Sequence, residues 1–187
     1  MNFDIKFDFQ RRDRLGLIEA IWGQDKSIDQ LERLCGNVLS KNEVVFITRI
    51  NSEKANYLLD LYDDARFHEE ANCLTIGKNF NKIITNKKVA IISGGSSDLA
   101  VTLEAQLALE VYGVNCQSFM DVGVAGLHRL MSQLEEINKS DVLIACAGME
   151  RALATVVGGL LAPPIIAVPV SVGYGVSKDG ELSLIHI

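Results

Sequence analysis

The sequence predicts a parallel three-layer α/β/α domain preceded by a small α+β domain. Three observations carry that expectation. Beyond residue 81, short apolar runs alternate with segments of helical period, the pattern of a parallel sheet covered on both faces. Each of those apolar runs ends in a glycine-containing turn. Composition also changes near residue 80: the earlier part holds most of the charged residues, the later part most of the glycines and all three prolines. The expected division is therefore 1–80 and 81–187, joined by a polar connector at 77–88 rich in Lys and Asn.

In the first part, Phe3, Ile5, Phe7 and Phe9 alternate strictly and read as a strand. Ser27 followed by Gln30 is a capping-box signal, after which Ile28, Leu31, Leu34, Cys35, Val38 and Leu39 recur at helical spacing. Residues 43–48 form a β-branched run and read as a strand. Ser52 is placed to cap a second helix carrying Ala55, Leu58, Leu59 and Tyr62. Phe67 and residues 73–76 suit a small hairpin.

In the second part the strand candidates are 89–92, 115–119, 142–146 and 165–168, with helical patterns at 99–112, 127–138 and 150–160. Ligands in such sheets sit at the carboxyl ends of the strands. Four loops converge on that edge: 93–98, 121–128, 147–150 and 171–175.

The most informative stretch is 89–98, a buried strand running into Ser93, Gly94, Gly95, Ser96, Ser97 and Asp98 and at once into a helix. N–H groups and the positive end of a helix dipole meet there, which suits a phosphate or carboxylate. Asp98 reads equally as a helix cap and as an acid/base group. His128, just after Gly126, suits a surface position or proton donation at the ligand edge. Arg129 suits solvent or an anionic ligand. Glu150, at another helix start beyond Gly148, suits a dipole contact or a general base. Met149 and Tyr174 read as packing and turn residues or as covers over a flat ring. Cys116 and Cys146 read as small buried hydrophobes.

Net charge of −6 disfavours a nucleic-acid partner. Four scattered cysteines without C-x-x-C spacing argue against disulfides and zinc and for a cytoplasmic setting. No apolar run reaches the ~20 residues of a membrane span. No metal-ligating set stands out.

The order of these pieces resembles a known group. The 93–98 loop, Ile144-Ala-Cys-Ala-Gly148 and Ile165-Ile-Ala-Val-Pro169 are similar to the aminoimidazole ribonucleotide carboxylase/mutase superfamily, the PurE fold. Asp121-Val-Gly-Val-Ala-Gly-Leu-His-Arg129, Ala147-Gly-Met-Glu150, Val156-Val-Gly-Gly159 and Val168-Pro-Val-Ser-Val-Gly-Tyr-Gly175 resemble the LarB family within it. So do Arg11-Arg-Asp-Arg-Leu-Gly-Leu-Ile-Glu19 and Lys26-Ser27.

The resemblance implies a carboxylase/hydrolase of nickel-pincer cofactor biosynthesis. Nicotinic acid adenine dinucleotide would gain a carboxyl group on its pyridinium ring and lose AMP, leaving pyridinium-3,5-biscarboxylic acid mononucleotide. It assigns proton transfer and orientation to Asp98 and Glu150, with His128 as the alternative. Ser93, Gly94, Gly95, Ser96, Ser97, Asp121, Gly126, Arg129, Gly148, Met149, Ser171 and Tyr174 would hold substrate. No covalently bound cofactor is implied; CO2 or bicarbonate is the co-substrate, Mg2+ a candidate ion and a homo-oligomer the expected assembly. The alternatives are the purine-pathway carboxylase/mutase and a non-catalytic nucleotide-binding subunit.

Arg151, Ala154 and Leu17-Ile18 stand where the family pattern has glycine, proline and phenylalanine–proline. The family pattern also continues through a further helix and strand with a cysteine, the implied covalent nucleophile. Residues 182–187 depart from it and read as a non-native tail. The expectation is thus a truncated chain that binds nucleotide without completing carboxylation.

Overall fold

The computed structural model describes residues 7–77, 83–148 and 152–170. The chain divides into two compact units, Met1–Ile84 with Glu110–Gly113, and Thr85–Leu109 with Val114–Ile187.

The first unit is built on a four-stranded mixed sheet: β1 (Ile21–Trp22), β2 (Val45–Thr48), β3 (Ala65–His68) and β4 (Cys73–Ile76), ordered β1-β2-β4-β3. β1 runs parallel to β2, and the other pairs are antiparallel, with Ile47 opposite Leu74 and Phe67 opposite Leu74 on the other side. A short helix α1 (Arg11–Leu15) ends at Gly16, whose φ of 72° is cheap only for glycine. Helix α2 (Ile28–Leu39) starts with the full capping box, Ser27 accepting from Gln30 N and Gln30 accepting from Ser27 N. Its buried stripe of Leu31, Leu34, Cys35 and Val38 packs with Ile47, Leu58 and Leu74 into one core. Cys35 is buried there, and desolvation pushes its thiol up to about 12.

Two details differ from the sequence expectation. Helix α3 (Ser52–Leu61) is capped by Asn51, whose side chain accepts from Lys54 N at 3.0 Å. Asn51 keeps extended dihedrals while Ser52 is already helical, and asparagine caps at least as well as serine. Phe7 and Phe9 are not in a strand. Phe9 N donates to Phe7 O, the two rings meet at 5.0 Å, and the chain turns directly into α1. Phe3 and Ile5 lie outside the described residues.

The second unit is the parallel domain. Strands β5 (Lys88–Ser93), β6 (Asn115–Phe119), β7 (Val142–Ala147) and β8 (Ile165–Pro169) are ordered β6-β5-β7-β8, every pair parallel. Strand β5 is central and its alternate residues serve two cores. Ala90 and Ile92 face helices α5 (Leu127–Ile137) and α6 (Ala152–Gly158) through Leu130, Ile137, Leu153 and Val157. Val89 and Ile91 face helix α4 (Leu99–Val111) through Val101, Ala105 and Leu109. The period-two alternation of a strand thus becomes a three-layer sandwich. Among the described residues, no helix is long and apolar enough to cross a membrane.

Candidate active site

The winding of the sheet decides where a ligand can enter. From β5 the chain crosses by α4 to β6 on one side, then by α5 to β7 on the other. The carboxyl ends of β5, β6 and β7 therefore flank a reversal point, where the outgoing loops part and leave a crevice. A cleft of about 340 Å³ lies there. Its walls are Gly94, Gly95, Ser96, Ser97 and Asp98 after β5, Asp121, Gly123 and Arg129 after β6, and Ala147 and Gly148 at the end of β7.

Buried Ser93 stitches the first two loops together. Its carbonyl accepts from Val122 N at 3.0 Å and its Oγ accepts from Asp121 N at 3.0 Å, while the hydroxyl faces Met120 Sδ at 3.6 Å. Ser93 is not among the residues lining the cleft; its polar groups are spent on the loop. Gly94 N donates to Cys146 O at 3.1 Å, tying the same loop to β7.

Among the described residues lining the cleft, Asp98 is the one ionisable side chain withdrawn from water, at 4% exposure. Burial pushes its carboxyl above the usual carboxylate range. Opposing that, Gly95 N donates to Oδ2 at 2.9 Å, and the N–H groups of Gly94 and Gly148 and the Ser97 hydroxyl also favour the ionised form. The cap and the acid/base readings of Asp98 thus fall on one side chain, which closes the 3₁₀ turn of residues 96–98 and lines the cleft. With Gly94 and Gly95 N–H engaged inside the protein, the exposed Ser96 and Ser97 are the polar residues this loop turns outward. Beneath Asp98, Thr102 Oγ1 donates to its carbonyl at 2.8 Å. Buried Cys146 has its thiol pushed up to about 11 by desolvation, which makes it a poor nucleophile at neutral pH.

Across the cleft, Asp121 adopts a left-handed φ of 56° and its Oδ2 meets Arg129 Nη1 at 3.0 Å. The guanidinium lies over Gly126, where an added Cβ would come within 2.6 Å of it. A guanidinium carries five N–H donors, so this exposed pair does not exhaust its capacity for an anion. His128 is exposed on the first turn of α5 and is not among the lining residues. Met149, Glu150, Ser171 and Tyr174 lie outside the described residues, as does Arg151.

Sequence reading did not single out Gly123, Thr102 or Ala147 for the site. Two glycines in the Val122–Gly126 stretch were the only signal for Gly123, whose Cα lies against the Gly94 backbone from 29 positions earlier in the chain. No group of three or more His, Cys, Asp or Glu among the described residues is arranged as a metal cage. Mg2+ needs none, because it commonly arrives on substrate phosphates with one or two carboxylates.

Comparison with known proteins places this arrangement. A family model described as the LarB/PurE-like N-terminal domain matches residues 3–78, and one described as AIR carboxylase matches residues 88–187. An uncharacterized protein of Methanocaldococcus jannaschii is 33% identical over 97% of this chain and 74% of its own length. The N5-carboxyaminoimidazole ribonucleotide mutase of the same organism is 41% identical over 44% of this chain and 52% of its own length. The two family models together cover both units and their loops, and the chain belongs to the LarB family within the PurE superfamily, a group with carboxylase-type activity.

Proposed function

We propose that the protein carboxylates nicotinic acid adenine dinucleotide with CO2 or bicarbonate and hydrolyses its phosphoanhydride. The products would be pyridinium-3,5-biscarboxylic acid mononucleotide and AMP, the first step of nickel-pincer cofactor assembly. The observation that supports this reading best is Asp98, a buried carboxyl of raised proton affinity facing a cleft that also presents a guanidinium.

The chemistry asks for such a group. A pyridinium ring is electron-poor and does not attack CO2. A nucleophile adds first, pushing an electron pair toward the ring nitrogen and leaving an enamine-like carbon. That carbon bonds to CO2, a base removes its proton, and the nucleophile departs as aromaticity returns, with no net oxidation. A carboxyl whose proton affinity is raised by burial is suited to take that proton. Arg129, Ser96 and Ser97 would receive the phosphates, with any Mg2+ entering on them. Glu150 or His128 would serve the second proton transfer. Gly148, Met149, Ser171 and Tyr174 would line the ring, and a homo-oligomer would be the working assembly. The added nucleophile would be the cysteine implied by the family pattern.

The local match to a ribonucleotide mutase supports a second reading, carboxyl transfer on an aminoimidazole ribonucleotide. One experiment separates them. The chain, and a version extended by the family's carboxyl-terminal segment, would be given nicotinic acid adenine dinucleotide with labelled bicarbonate or, separately, carboxyaminoimidazole ribonucleotide. AMP together with a mononucleotide gaining one labelled carboxyl supports the first reading. Turnover of the aminoimidazole alone replaces it with the second.

A further inference from the structure

We propose that Gly123 is a positioning residue: its bare Cα lets the Gly94 carbonyl lie against it and so aims the N–H of that same peptide, Gly95 N–H, at the Asp98 carboxylate. The proposal rests on the reading of Asp98 as an acid/base group, and assigns its orientation to a loop from a different strand.

The argument is one of peptide geometry. The carbonyl of Gly94 and the N–H of Gly95 belong to one planar trans unit, and they point in opposite directions. The N–H end is pinned at Asp98 Oδ2, 2.9 Å away. The carbonyl end abuts Gly123, where an added Cβ would sit 2.1 Å from Gly94 O and 2.9 Å from Gly94 C. Those are backbone atoms, which cannot swing aside as the end of a side chain can. Any residue but glycine at 123 must therefore turn or displace the Gly94–Gly95 peptide.

The loop cannot easily retreat instead. Ser93 holds Asp121 N and Val122 N, immediately before Gly123, through two hydrogen bonds of 3.0 Å. Gly123 has a φ of −69°, ordinary for any residue, so its own dihedrals do not demand glycine. The close approach alone does. Gly126 makes the contrasting case, because the nearest atoms an added Cβ meets there belong to the Arg129 guanidinium, the movable end of a flexible side chain.

Rotation of the peptide would remove a charge-assisted donor from a buried carboxylate, and the ionised form would lose support. Among the described residues, the titratable groups facing Asp98 are Cys146 from β7 and, lining the same cleft, Asp121 paired with Arg129. Gly123→Ala leaves all of these chemically unchanged, so a change in the titration of Asp98 reports the peptide.

The test is a carbon-13 NMR titration of the full chain labelled at aspartate carboxyls, with Asp98→Asn identifying the resonance. Gly123→Ala is expected to move the Asp98 midpoint upward, and Gly126→Ala to leave it in place. A folded Gly123→Ala protein with an unmoved midpoint overturns the proposal. If that variant does not fold, the wild-type Gly95 amide decides: its shift should follow the Asp98 midpoint and become flat with pH in Asp98→Asn. A Gly95 amide that ignores Asp98 overturns it. Neither readout uses turnover, so absence of carboxylation would sink the proposed reaction while leaving this inference standing.

Discussion

Both ends of the parallel sheet are hollow, yet they are chemically unlike. At the amino end, a groove of about 240 Å³ is lined by Lys88, Asn115, Gln117, Glu136 and Lys139 among others. Its charges stay in water: Glu136 at the end of α5 and Lys139 in the turn after it pair at 2.7 Å, both well exposed. At the carboxyl end, Asp98 is withdrawn from water and held by fixed backbone dipoles. A hollow alone is inexpensive to make, since any edge strand carrying polar residues beneath a helix end will leave one. A buried carboxyl costs solvation energy, and that cost is carried where the chain reverses its winding and the loops after β5 and β7 supply N–H donors.

Substitutions at the two ends should therefore behave differently. Made in the version extended by the family's carboxyl-terminal segment, Asp98→Asn is expected to reduce turnover of the pyridinium substrate by about 10²–10⁴-fold, the usual worth of a positioned acid/base group. Steady-state kinetics with calorimetric binding would check that substrate is still bound. The same variant carries a pH signature. The folded Asp98 holds its proton more tightly than the unfolded chain, whose carboxyl has the ordinary value of 3.8. Its contribution to stability is full below that value and is lost as pH rises through the raised folded value. Urea unfolding at a series of pH values should show that downward slope in the wild type and less of it in Asp98→Asn.

Leu143→Ala should cost about 2–5 kcal/mol, because this fully buried side chain of β7 sits in the core beneath the sheet. If the contrast between the ends is local, the loss should appear in the unfolding midpoint while the Asp98 titration stays unchanged. Thr102→Val removes the hydroxyl under Asp98 and should cost about 1 kcal/mol, read by denaturant unfolding. Smallest of all, Glu136→Gln at the amino-end groove should leave both turnover and the unfolding midpoint unchanged, since an exposed pair exchanges one solvated partner for another. A clear loss of turnover there would reverse the comparison.

Much of the architecture was legible in advance because it is written locally. Ser27 and Gln30 are three residues apart and their reciprocal bonds need nothing else. The two-faced burial of 89–92 follows from alternation within one strand. Legibility failed where local rules compete, as at Asn51 and Ser52, two adjacent residues that both cap well. It failed again at Phe7 and Phe9, whose alternation mimics a strand while their backbone turns. In the site, Asp98 was visible as a capping position, and its burial was not, since that depends on β7 and α4 closing over it.

The sequence by itself determined which segments become strands and helices of the parallel unit, and that glycine turns end those strands, because periodicity and turn chemistry act over a few residues. Only the tertiary structure decided that Ser93 is spent as a clip, that Arg129 is paired with Asp121 over Gly126, and that Gly123 must be bare to admit the Gly94 carbonyl. The first and the last are contacts between loops after different strands. Their distances follow from the order of strands in the sheet, and no local spacing along the chain encodes that order.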